Sequence, residues 1–112
     1  MNITEERSGG FLVLRLRQAR LDASTAPALR KALVDRIMQG EQSLVLDLRD
    51  VTFMDSSALG ALISAVKMLG PTGTIAVASM TGPVAKLFSM TKMDRVFSVN
   101  ATVDDAVKVL GS

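Results

Sequence analysis

The sequence predicts an α/β domain, and three observations predict it. Short apolar runs at Ser43–Leu48 and Thr74–Ser79 are continuous rather than alternating, as in strands buried on both faces of a parallel sheet. Between such runs, apolar residues recur at helical spacing, as at Ala26, Leu29, Leu33 and Ile37. Glycine and proline punctuate the junctions, at Gly9-Gly10, Gly40, Gly70-Pro71 and Gly82-Pro83. Helices alternating with buried strands are the pattern of an α/β fold.

The elements follow in order. Phe11–Arg17 starts apolar and then alternates, a strand with Arg15 and Arg17 toward water, and Ile3–Arg7 is its hairpin partner across Gly9-Gly10. Ser24 is the expected N-cap of a first helix, with Pro27 tolerated in the first turn and Gly40 ending the helix after Gln39. After the Ser43–Leu48 strand, Asp55-Ser56-Ser57 opens a second helix that stops at Gly70-Pro71. The Thr74–Ser79 strand precedes a third helix from Gly82-Pro83 to Met90. Arg95–Val99 is a short strand, and Thr102 caps a last helix, with Asp105 three residues on. The predicted order is β-β-α-β-α-β-α-β-α.

Composition removes much chemistry. The 112 residues contain no Cys, so disulfides, thiolate metal sites and cysteine nucleophiles are absent. They contain no His, the commonest general base and metal ligand. A serine nucleophile would need Lys67, Lys86 or Lys92 as its base, and none stands at a recognisable spacing. No glycine-rich phosphate loop occurs, and residues 18–24 hold only Asp22 where a receiver domain needs an acidic pair. No enzyme activity, metal or cofactor is expected. The pI of about 9.4 exaggerates the charge, which is only +2. Without Lys or Arg runs, and with no Tyr or Trp, direct nucleic-acid binding is not expected. No apolar stretch approaches the ~20 residues that cross a bilayer, and the acidic Met1–Glu6 start is unlike a signal peptide, so a cytoplasmic protein without membrane contact is expected.

The second helix is the most informative element. On a helical wheel it carries three stripes. Leu59, Leu62, Ile63, Val66 and Leu69 are bulky and are expected against the sheet. Ser57, Gly60, Ser64 and Lys67 are polar or small. Ala58, Ala61, Ala65 and Met68 form a third, apolar stripe whose small residues let another backbone come close. Either a neighbouring helix of the same chain or a partner covers it. Ser56 and Ser57 stand at the helix start, where a serine serves as an N-cap or as a phosphoacceptor whose phosphate meets the positive end of the helix dipole.

The segment Leu44-Val-Leu-Asp-Leu-Arg-Asp-Val-Thr-Phe-Met-Asp-Ser-Ser-Ala-Leu-Gly60 resembles the hallmark of the STAS domain, specifically of the anti-sigma factor antagonists. Arg20-Leu21-Asp22 resembles the family's turn after its second strand, and Pro83–Met90 its third helix. The resemblance covers essentially residues 1–112 and implies one STAS domain, with a mixed sheet of about five strands and four helices. It also implies a partner switch. The unphosphorylated antagonist binds an anti-sigma serine kinase, which holds the ATP, and a PP2C-type phosphatase reverses the modification. Carried over by position, the phosphoacceptor is Ser56, with Asp22, Asp55, Ser57 and Ala58 around it. The partner surface would then be Gly60, Ala61, Ser64, Lys67 and Met68. A STAS structural subunit of a transport or signalling complex, with no phosphorylation cycle, is the alternative. Two positions depart from the family pattern. Ala58 stands where Gly is usual, its methyl expected to crowd a closely approaching kinase, and Ala19-Arg20 lacks the usual turn glycine.

Overall fold

The structure, a computed structural model, describes residues 1–111. Its strands are β1 (Ile3–Ser8), β2 (Phe11–Leu16), β3 (Arg20–Leu21), β4 (Ser43–Asp47), β5 (Phe53–Met54), β6 (Thr74–Ala78) and β7 (Ser98–Asn100). The helices are α1 (Ala26–Met38), α2 (Ser56–Leu69), α3 (Gly82–Met90) and α4 (Val103–Gly111). The main sheet has five strands in the order β1-β2-β4-β6-β7. Only the β1–β2 pair is antiparallel; β2–β4, β4–β6 and β6–β7 are parallel. This is the expected mixed sheet with four helices.

The parallel strands step across the sheet in one direction. Right-handed crossovers then place every intervening helix on the same face. Accordingly, Leu12, Leu14, Leu44, Leu46, Ile75 and Val77 share one core with Leu29 and Leu33 of α1, Leu62 of α2, and Val84 and Phe88 of α3. The alternate residues Phe11, Val13, Val45, Ala76 and Ala78 form a second core with Ala106 of α4. The continuous apolar runs exist because both faces are covered. In the β1–β2 turn, Gly9 and Gly10 have φ of +56° and +86°, as a two-residue hairpin of this hand requires. A Cβ on Gly9 would lie 2.6 Å from Val107 Cγ1, so α4 also depends on that glycine.

Two local expectations are corrected, and one pairing is added. Ser24 is not the N-cap of α1: its hydroxyl donates to the Asp22 carboxylate at 2.6 Å, and Thr25 occupies the cap position without a side-chain bond to the helix. The strand expected at Arg95–Val99 starts later, because Met93–Arg95 is a 3-10 turn and only Ser98–Asn100 pairs with β6. Phe97 turns inward instead and meets Phe88 with ring centroids 5.8 Å apart. Finally, β3 and β5 form a separate two-residue parallel ladder, too short to leave a periodic signal in sequence.

Candidate functional site

The β3–β5 ladder builds the site. It pairs Arg20 with Phe53 and Leu21 with Met54, and the Asp55 N–H then donates to the Leu21 carbonyl at 3.1 Å. The loop carrying Asp22 is thereby tied to the start of α2. Leu21 is fully buried and Met54 nearly so, which anchors the ladder in the core. On its outer side the Arg20 guanidinium lies 4.1 Å from the Phe53 ring centroid. Its Nε is also 3.5 Å from the Asp22 carboxylate, so Arg20 positions that loop. Sequence reading gave Arg20 no role, and an Arg and a Phe 33 positions apart leave no local signal.

Asp55, not a serine, caps α2. Its backbone is extended and its Oδ1 accepts from the Ser57 N–H at 2.9 Å and the Ala58 N–H at 3.4 Å. Such a cap contributes about 1 kcal/mol. With the cap supplied by Asp55, the hydroxyls of Ser56 and Ser57 are exposed at the head of the helix and make no side-chain hydrogen bond among the described residues.

Asp22 is held mostly by its own loop. Its carboxylate accepts from the Ser24 hydroxyl at 2.6 Å and from the Ser24 N–H at 3.0 Å, while its own N–H donates to Thr25 Oγ1 at 2.9 Å. The Ser24 hydroxyl bond chiefly, then the Ser24 N–H and Arg20, hold its pKa below the usual carboxylate value. Through the Leu21–Asp55 backbone bond, the Asp22 loop and Asp55 bring two carboxylates to the start of α2.

The stripes of α2 divide differently from expectation. Ala58, Ala61 and Ala65 are buried, because α1 packs along them and the small side chains let the two helices come close. Ala61 is 5% exposed, so it is a covered residue rather than an open contact. The Ala58 methyl is fully buried in the core, not at the surface where it was expected. Leu59 and Leu62 are buried as expected, while Ile63, Val66 and Leu69 are only partly so. Gly60, Lys67 and Met68 are exposed and Ser64 half-buried. Between α1 and α2 lies an open groove of about 560 Å³, lined by Ala26, Pro27 and Arg30 on one side and by Ser57, Gly60, Ala61 and Ser64 on the other. Helical spacing puts Ser57 on the groove stripe and Ser56 one position round the helix from it.

Among the described residues no helix is long and apolar enough to cross a membrane, and no cluster of acidic residues could hold a metal.

The sequence pattern of the STAS domain matches residues 2–106. This chain belongs to the STAS domain family. The STAS domain is 29% identical over 101 residues to an anti-sigma F factor antagonist of Paenibacillus polymyxa, covering 88% of this chain and 86% of that one. It is 29% identical over 89 residues to the anti-sigma-B factor antagonist of Bacillus subtilis strain 168, covering 79% and 81%. The crystal structure of an anti-sigma factor antagonist from Mycobacterium paratuberculosis superposes on it with a TM-score of 0.88 at 28% identity, covering 99% of this chain and 94% of that one. These relatives are anti-sigma factor antagonists by name, and the STAS fold expected from Leu44–Gly60, Arg20–Asp22 and Pro83–Met90 is the one found.

Proposed function

We propose that this STAS domain is an anti-sigma factor antagonist that works by partner switching. In its unphosphorylated form it binds an anti-sigma serine kinase and frees that kinase's target. The kinase, using its own ATP, transfers a phosphoryl group to Ser56 and ends the interaction, and a PP2C-type phosphatase restores it. The observation that carries this reading is an exposed serine hydroxyl at the first residue of α2, directly after the capping Asp55 and beside the Asp22 loop. The names of the relatives support the same role.

The electrostatics fit a switch at the surface. A phosphoserine carries about −1.5 to −2 charge at neutral pH. Here Asp55 already occupies the Ser57 and Ala58 N–H groups, and Asp22 adds a second carboxylate nearby. A phosphate on Ser56 would therefore raise the negative potential where a partner docks. Burying it there without a cation would cost several kcal/mol. In the free protein the phosphate stays in water, so the fold is kept. Incubation with the kinase and ATP should place one phosphate on Ser56 by peptide mapping, and Ser56→Ala should block it while leaving binding constitutive. Mapping of the phosphate to Ser57 alone, or a wild-type chain that binds no kinase, would overturn the reading.

A further inference from the structure

The outer face of the β3–β5 ladder holds a cation to which the switch proposed above gives no task. Leu21 and Met54 are buried, so strand alternation turns Arg20 and Phe53, and after them Asp22 and Asp55, to the outer side. The Arg20 guanidinium lies 4.1 Å from the Phe53 ring centroid. A guanidinium stacked on a ring keeps its in-plane N–H donors free, because only its face is covered. Its link to Asp22 is long, 3.5 Å from Nε, and the side chain is 61% exposed. Asp22 depends on it little, since the Ser24 hydroxyl and N–H hold the same carboxylate at 2.6 and 3.0 Å. Arg20 can therefore leave Asp22 without orphaning it.

Ser56 is within its range. Phe53 pairs with Arg20 and stands three residues before Ser56, at most about 10 Å of extended chain. The Ser57 and Ala58 N–H groups, the usual anion donors of a helix start, are already taken by Asp55. Among the described residues, the charged groups around a phosphate on Ser56 are then Asp22 and Asp55, which repel it, Arg20 on β3, and Arg30 on α1 across the groove. Of the two arginines, only Arg20 is on the strand paired with the segment that leads into Ser56, and the Phe53 ring already orients its guanidinium.

We propose that Arg20 is the phosphate-holding residue of the switch: when Ser56 is phosphorylated, the Arg20 guanidinium turns on the Phe53 ring from Asp22 to the phosphate oxygens. This role rests on the function proposed above and deepens it. The planar fork of arginine gives a phosphate two parallel hydrogen bonds, which fixes the new position. A phosphoserine carries more charge than one guanidinium cancels, so the site stays more negative than before, as release of a partner requires. The exchange also takes Arg20 from Asp22, so one side chain carries the modification to the Asp22 loop.

The test needs no kinase. Phosphoserine is installed at position 56 during translation, and the phosphate is titrated by phosphorus NMR. A paired cation favours the dianion, so the second phosphate pKa of the wild-type chain should lie about half a unit or more below that of Arg20→Gln. Arg20→Lys keeps the charge without the fork and should recover part of the difference. Arg30→Gln should titrate as the wild type does. The Arg20 Nε–H resonance should move with the phosphate titration, a response that a purely structural Arg20 would not give. Melting midpoints of the unphosphorylated variants should stay close to the wild-type value, because these side chains are exposed. Identical titrations of wild type and Arg20→Gln, or a shift produced by Arg30→Gln instead, would overturn the role of Arg20 and leave phosphorylation of Ser56 standing. A kinase that labels Ser57 alone would overturn the proposed function and this role together.

Discussion

Two strips of the same helix, α2, are both made of small residues and have opposite environments. Ala58, Ala61 and Ala65 are at most 5% exposed, closed over by α1. Ser57 and Gly60, one position round the helix, stand in the open, with Lys67 exposed three turns along the rim. In the covered strip, small side chains bring α1 close and so build the core. In the open strip, they leave room that nothing in the chain fills. Side-chain size alone therefore does not identify a docking surface; the neighbouring helix decides which small residues are structural.

Substitutions that probe the covered side should cost most. Leu62→Ala opens a cavity between α2 and the sheet and should lose roughly 2–5 kcal/mol in a urea unfolding curve. Ala61→Leu, on the covered strip itself, overpacks the α1 contact and should lose about 1–3 kcal/mol. If Ala61→Leu is neutral, α1 yields easily and the two strips differ less than their exposures indicate.

The junction between the strips is the cap. Asp55→Ala removes the acceptor for the Ser57 and Ala58 N–H groups and should cost about 0.5–2 kcal/mol. Asp55→Ser should recover most of that loss, because serine also caps well. Equal losses from both variants would mean that the charge of Asp55 matters more than its hydrogen bonds.

Beside the open strip, the smallest effect is a titration. Asp22, after β3, is held below its usual pKa chiefly by the Ser24 hydroxyl, and Asp50, in the loop after β4, chiefly by Arg15. A depressed carboxylate contributes stability that is complete above the unfolded pKa, near pH 4, and is lost as pH falls through the lower folded value. Carboxyl-carbon NMR titration should show both midpoints below the ordinary aspartate value. Ser24→Ala should raise the Asp22 midpoint and leave Asp50 unmoved. A common shift of both would show that the two carboxylates are coupled instead of separately held.

Sequence alone determined the alternation of buried strands and helices, since periodicity and turn residues are local signals. It located Asp55-Ser56-Ser57 at the start of α2, and Thr102 as the cap of α4, where its Oγ1 accepts from the Asp105 N–H at 3.0 Å. Tertiary structure alone decided the rest of the site. Which residue caps a helix depends on the backbone angles of its first turn, so Asp55 took the bond that either serine could have made, and Ser24 turned to Asp22 instead. The β3–β5 ladder rests on pairings across more than 30 residues, with too few positions in each strand to show a period. The fate of the alanine stripe depended on where α1 lies, and that position is fixed by the order of strands in the sheet. A helical wheel records which residues of one helix share a face; only packing against the rest of the chain determines whether that face is covered.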